Sequence, residues 1–182
     1  FQDYEKKYIE SLSADVPKDQ VLDPKRVEEF VNANKGSLLP GLYEGTVQTT
    51  TKSGKQAIQI YLDAISHIQN PAIKPITGDT IMSALTKQES GEDLNALAIV
   101  RASIESNFNI FKKVSAPKEA LELHTKLLQA TLALMNNIKL LQNTQHDFIG
   151  SLIGQKNLGE LNAIFTDIGN QILALETKYN IK

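Results

Sequence analysis

The chain has 182 residues, no Cys and no Trp, with 19 Lys plus Arg against 21 Asp plus Glu and a formal net charge of −2. A share of 41% hydrophobic and 22% charged residues is that of an ordinary globular domain and excludes a disordered chain. Without Cys there is no disulfide framework, zinc ribbon or thiol nucleophile, and the mildly acidic balance argues against a nucleic-acid partner.

Asp3 to Leu12 is charged, with Tyr4, Tyr8, Ile9 and Leu12 near helical spacing, and predicts a short helix or arm. Asp23-Pro24 is a cap followed by Pro at the first helical position. Val27, Phe30 and Val31 form a stripe, and Gly36 is a candidate C′ residue, so a helix is predicted over 24–35. Residues 37–53 are non-helical: Pro40-Gly41 and Gly45 are turn signals, and the segment from Val47 to Thr51 is β-branched and polar. An extended segment is expected there. With no second one in view, it reads as a connector laid over the helices. The apolar Leu38, Leu39, Leu42 and Tyr43 in this stretch either cap a helical bundle or form an interaction patch for a protein partner.

From Lys55 the period becomes 3.6. Ala57, Ile58, Tyr61, Ala64, Ile65 and Ile68 share a face, and Pro71 ends that helix. A short helix is predicted from Asp79 to Gln88, with Ile81, Met82 and Leu85 inward. A long one runs from Glu92 to Val114 through Leu97, Val100, Ile104, Phe108 and Phe111. Pro117 should occupy the first position of the next helix, which carries Leu121, His124, Leu127, Leu128, Thr131, Leu134, Met135, Ile138 and Leu141. Residues 147–154 read as a turn-rich insert anchored by Phe148, Ile149, Leu152 and Ile153. The last helix is predicted from Leu158 to Asn180. The expectation is an all-α fold: an antiparallel bundle of four long helices, each about 27–40 Å, with short accessory helices. An irregular N-terminal arm would occupy residues 1–52 and the bundle residues 53–182.

Motifs with chemical meaning fail on their details. Gly54-Lys55 follows an extended segment as a phosphate loop would, but Thr49 stands where the first Gly belongs and Gln56 where the hydroxyl belongs. Ser115-Ala-Pro-Lys118 matches S-x-x-K, yet its Pro marks a helix start and Lys52-Ser-Gly54 precedes it instead of following. Asp63 and His67 lie four apart on one face, and His146 is a third histidine, but no Glu-x-x-His of a di-metal bundle occurs. No metal or cofactor is expected. Three polar residues on or beside inward faces form a candidate polar core: His124, Thr131 and Arg101. Arg101 either snorkels or pairs with an acid such as Asp63 or Asp167.

Ala57 to Tyr61, Ala116-Pro117 with Glu119, His124, Leu127-Leu128 and the tail Tyr179-Asn180-Ile181 resemble, in order and spacing, a set of uncharacterised helical proteins of candidate-phyla bacteria. The resemblance covers residues 56–182. Where that set often has Asp-Pro, this chain has Asp147-Phe148. It implies an extracytoplasmic helical domain behind an N-terminal membrane anchor, which fits a sequence starting at Phe1. The expected function is a non-enzymatic structural or interaction module of the cell envelope. A ligand- or metal-binding bundle near His124 and a cytoplasmic bundle partner are the alternatives.

Overall fold

The computed structural model describes residues 3–12, 17, 21–38, 45–66 and 69–181. Helix accounts for 73% of these residues and strand for 2%, against roughly a third helix in ordinary globular proteins. Leu39, Leu42, Tyr43 and His67 lie outside the described residues, and Leu38 closes a 3-10 turn over Lys35–Leu38.

Two short helices lead the chain. Helix α1 (Tyr4–Ser11) is capped by Asp3, whose carboxylate accepts from the Lys6 N–H. Helix α2 (Pro24–Asn34) is capped by Asp23, which accepts from the Lys25 and Arg26 N–H groups. The first-position Pro24 is as expected. Gly36 is not a left-handed cap, because α2 tightens directly into the 3-10 turn that contains it.

The extended segment does find a partner. Strand β1 (Thr49–Thr50) pairs in parallel with β2 (Ala116–Pro117), and the Ala116 N–H donates to the Gln48 carbonyl at 2.8 Å. Pro117 is therefore extended and buried, not the first residue of an α-helix. A 3-10 turn over Lys118–Ala120 intervenes before the next helix begins at Leu121. Pro lacks an N–H, so it suits the end of a two-residue ladder as well as a helix start.

Helix α3 (Gly54–Ile65) ends at Ser66, before the region of Pro71. Helix α4 (Gly78–Glu89) is capped by Thr77 and closed by Gly91, whose φ of 75° is the left-handed conformation that favours glycine. Met82, expected inward, is 49% exposed. Helix α5 (Ala96–Phe111) and helix α6 (Leu121–Gln142) follow. The predicted insert and last helix are one 32-residue helix, α7 (Phe148–Tyr179). Gly150 and Gly154 fall within the predicted turn-rich insert, but each fits a close approach. A Cβ at Gly154 would lie 3.0 Å from the Leu141 Cδ2, so glycine here lets α7 press against α6.

Helix α7 packs most extensively on α6, α6 on α5, and α5 on α4. Buried apolar side chains form three clusters. One joins α3, α5, α6 and α7 around Ile58, Tyr61 and Leu128. A second joins α4 to α7 around Leu97, Ile104 and Ile138. A smaller third seats Tyr4, Tyr8 and Val31 against Leu140, Ile149 and Ile153. Full burial of such side chains stabilises by about 1.5–3 kcal/mol each before the cost of ordering the chain. The first two helices are thus seated on α7.

Candidate functional site

His124 is placed inward by the apolar spacing of α6 and is fully buried. Tyr61 of α3 meets it edge-on, with ring centroids 5.6 Å apart and the Tyr61 Oη 3.4 Å from Nδ1. Burial holds the His124 pKa below the ordinary histidine value, with the Phe111 backbone offsetting part of that, and Nε2 is buried without a hydrogen-bond partner. Burial likewise pushes the Tyr61 phenol above its ordinary value. Both groups are neutral near pH 7 and closed to solvent, so the pair serves as a polar tie between α3 and α6.

The other members of the candidate polar core go elsewhere. Thr131 lies two turns from His124 on α6 and donates its hydroxyl proton to the Leu127 carbonyl at 2.7 Å. Arg101 is half-buried, with its Nε buried and unpartnered. It does not pair with Asp63 or Asp167. Asp63 accepts from Gln59, and Asp167 accepts from Lys126 and Gln171, with the Lys126 hydrogen bond holding its carboxyl below the usual range. His124, Thr131 and Arg101 therefore share no hydrogen bond and do not converge. Gly54-Lys55 has a structural use: the Lys55 Nζ donates to the Asn180 carbonyl at 2.7 Å, at the C-terminal end of α7. Ser115 and Lys118 are both exposed, as is His146.

Asp147 is the polar residue that sequence reasoning missed. It is 1% exposed and stands at the N-cap of α7. Its Oδ1 accepts from the Gly150 N–H at 2.7 Å and from the Glu5 N–H at 3.0 Å. Its Oδ2 accepts from the Tyr4 N–H at 2.9 Å. Glu5 reciprocates, accepting from the Phe148 N–H at 3.2 Å. One carboxylate thus caps two helices at once. Each helix N-terminus carries about half a positive charge, so two of them match one carboxylate. A Cβ at Gly150 would lie 2.4 Å from the Asp147 Oδ2, which accounts for the glycine. The sequence signal was an Asp followed three residues later by Gly at a helix start. Nothing local marked its second set of donors 142–143 residues away.

Of the concavities among the described residues, two are lined mostly by apolar side chains. A groove of about 590 Å³ lies between α2 and the start of α7, lined by Leu22, Pro24, Val27, Val31, Phe148 and Leu152, with Glu28, Gln155 and Lys156 beside them. Leu22 is 67% and Phe148 49% exposed, so Phe148 sits at a rim and does not anchor the interior as expected. A cleft of about 680 Å³ lies among α4, α5, α6 and α7, where Ile81, Met82, Ile104, Leu134 and Phe165 surround Thr131. Among the described residues, no three His, Cys, Asp or Glu side chains gather as a metal site, and no helix is long and apolar enough to cross a membrane. Comparison with protein-family models, curated proteins and solved structures finds no match to this chain.

Proposed function

We propose that this chain is a non-enzymatic helical module with an interaction role at the cell envelope, and that the α2–α7 groove receives an amphipathic helix of a protein partner. The observation that carries the reading is the groove itself. Leu22 and Phe148 stand exposed along an apolar trough, and large exposed apolar surface rimmed by polar residues marks interaction sites. The use of three of the buried polar side chains supports the non-enzymatic part. Asp147 caps two helices, His124 meets Tyr61, and Asn107 pairs with both the N–H and the carbonyl of Lys74 at 2.8 and 2.7 Å. Each is engaged in holding elements together.

The finer architecture we propose is an antiparallel bundle built on α3, α5, α6 and α7, with α4 as an accessory. Support comes from successive packing of α5, α6 and α7 and from the short α6–α7 connection, a geometry that favours antiparallel neighbours. An extracytoplasmic location is proposed from the resemblance to envelope-associated helical proteins and from the absence of Cys.

The test places a photo-crosslinking phenylalanine analogue at position 148 in the native cell. The expected result is a discrete adduct to one partner protein, lost when Leu152 is replaced by Asp. Adducts that persist unchanged in that variant refute the groove. Protease accessibility of the chain from outside the cytoplasmic membrane tests the compartment separately.

A further inference from the structure

Beyond the groove, the second concavity has the character of a small-molecule site. Its volume of about 680 Å³ lies within the range of about 300–1,000 Å³ usual for ligand pockets. Its walls are mainly apolar, from Ile76, Ile81, Ile104, Leu134, Leu161 and Phe165. Met82, half-exposed on α4, adds an unbranched and adaptable side chain to the lining.

Gly159 also lines this cleft, and a Cβ built there meets nothing within 4 Å. Glycine inside a helix is less favourable than Ala. Unlike Gly150 and Gly154, it serves no close approach within the protein. Gly159 is exposed, and its open Cβ position stands beside the cleft.

The polar groups decide what kind of molecule fits. Asp79 is the charged residue in the lining; no Lys or Arg contributes. It stands in the first turn of α4, where the helix end contributes about half a positive charge against the full negative charge of the carboxylate. The mouth is therefore net negative. The Thr131 proton is committed to the Leu127 carbonyl, so its hydroxyl can only accept from a ligand. The Thr77 hydroxyl oxygen takes the Thr80 N–H and lies 2.9 Å from the Thr80 hydroxyl, and Asn162 adds an amide that both donates and accepts. Thr77 and Asn162 can match either polarity, so the single negative charge of Asp79 selects the head, a cation that can also donate to Thr131.

We propose that the cleft among α4, α5, α6 and α7 binds a small amphiphile with an apolar chain and a cationic, hydrogen-bond-donating head, of the alkylammonium class. The sequence contains two methionines, which provide the assay. Met82 lines the cleft; Met135 is half-buried and does not. With both methyl groups labelled with carbon-13, the chain is titrated at pH 7 with octylamine, octanol and octanoate. Octylamine is expected to move the Met82 signal saturably and Met135 little, with octanol weaker and octanoate weakest. Asp79→Asn should weaken octylamine about two- to fivefold, the scale of an exposed ion pair. Gly159→Leu should abolish binding, while Gly159→Ala, which adds little volume, keeps it. Circular dichroism verifies that each variant is folded. The proposal is overturned by no saturable Met82 shift, by equal shifts at both methionines, by octanoate binding at least as well as octylamine, or by a folded Gly159→Leu chain that still binds.

Discussion

Replacing Asp147 by Ala removes the acceptor for three backbone N–H groups at once. Those of Tyr4 and Gly150 are in buried hydrogen bonds, whereas that of Glu5 is partly exposed. A hydrogen bond to a charged group contributes about 1.5–3 kcal/mol, and a buried donor left unpaired forfeits a similar amount. Water can reach the Glu5 N–H, so the two buried donors dominate and the expected loss is about 3–6 kcal/mol. Asp147→Ser separates the two roles. A serine can still cap α7 through the Gly150 N–H, but its shorter side chain cannot also reach α1. It should retain α7 helicity while the Tyr4 and Glu5 amides lose protection from hydrogen exchange. The assay is urea denaturation followed at 222 nm, with exchange measured on the same variants. A loss below about 0.5 kcal/mol for Asp147→Ala, the scale of surface substitutions, would refute the double cap. So would a serine variant in which Tyr4 stays fully protected.

Gly150→Ala and Gly159→Ala should move stability in opposite directions. The first forces the Asp147 carboxylate away, whereas the second gains up to about 1 kcal/mol of helix propensity in open space; thermal denaturation of the pair distinguishes them. His124 is held neutral in the fold, so below its unfolded pKa of 6.5 the unfolded chain binds more protons. Its contribution is complete above pH 6.5 and is lost as pH falls toward its depressed folded pKa, by at most about 1.4 kcal/mol per pH unit. His124→Leu should remove this dependence from urea midpoints measured between pH 7 and 5, at the cost of leaving the Tyr61 hydroxyl without the imidazole. Leu134→Ala should cost about 2–5 kcal/mol, nearer the low end, because Leu134 borders the cleft and is not enclosed on every side; a change under about 0.5 kcal/mol in denaturation would place that stripe in solvent.

Helical periodicity was legible because it reflects burial along a single element. Ile58, Tyr61, Leu97, Ile104, Leu128 and Ile138 are all buried as their spacing requires. What stayed hidden depends on a second element. Met82 was expected inward and Phe148 as an anchor of the insert, yet they stand at a cleft and a groove, and spacing cannot distinguish a surface that is covered from one that is not. Residues 147–154 read as a turn-rich insert because the Asp147 carboxylate and the Leu141 that approach Gly150 and Gly154 lie across a cap and on α6. Pro117 read as a helix start because β1, some 67 residues earlier, is invisible from its local context. The candidate polar core failed for the same reason. His124 found Tyr61, Thr131 turned to its own helix, and Arg101 met neither expected acid.

The span of 143 residues between Tyr4 and its capping group has a consequence for synthesis. A chain made at about 5–20 residues per second would have α1 waiting roughly 7–30 s before Asp147 is even polymerised. An eight-residue helix is too short to persist alone in water. Through that interval Tyr4 and Tyr8 have neither Leu140 nor Ile149 to cover them. Of the described helices α1 leaves the ribosome ahead of the rest, yet it is among the last of them to become stable, and its aromatic residues are open to holdase chaperones until α7 emerges.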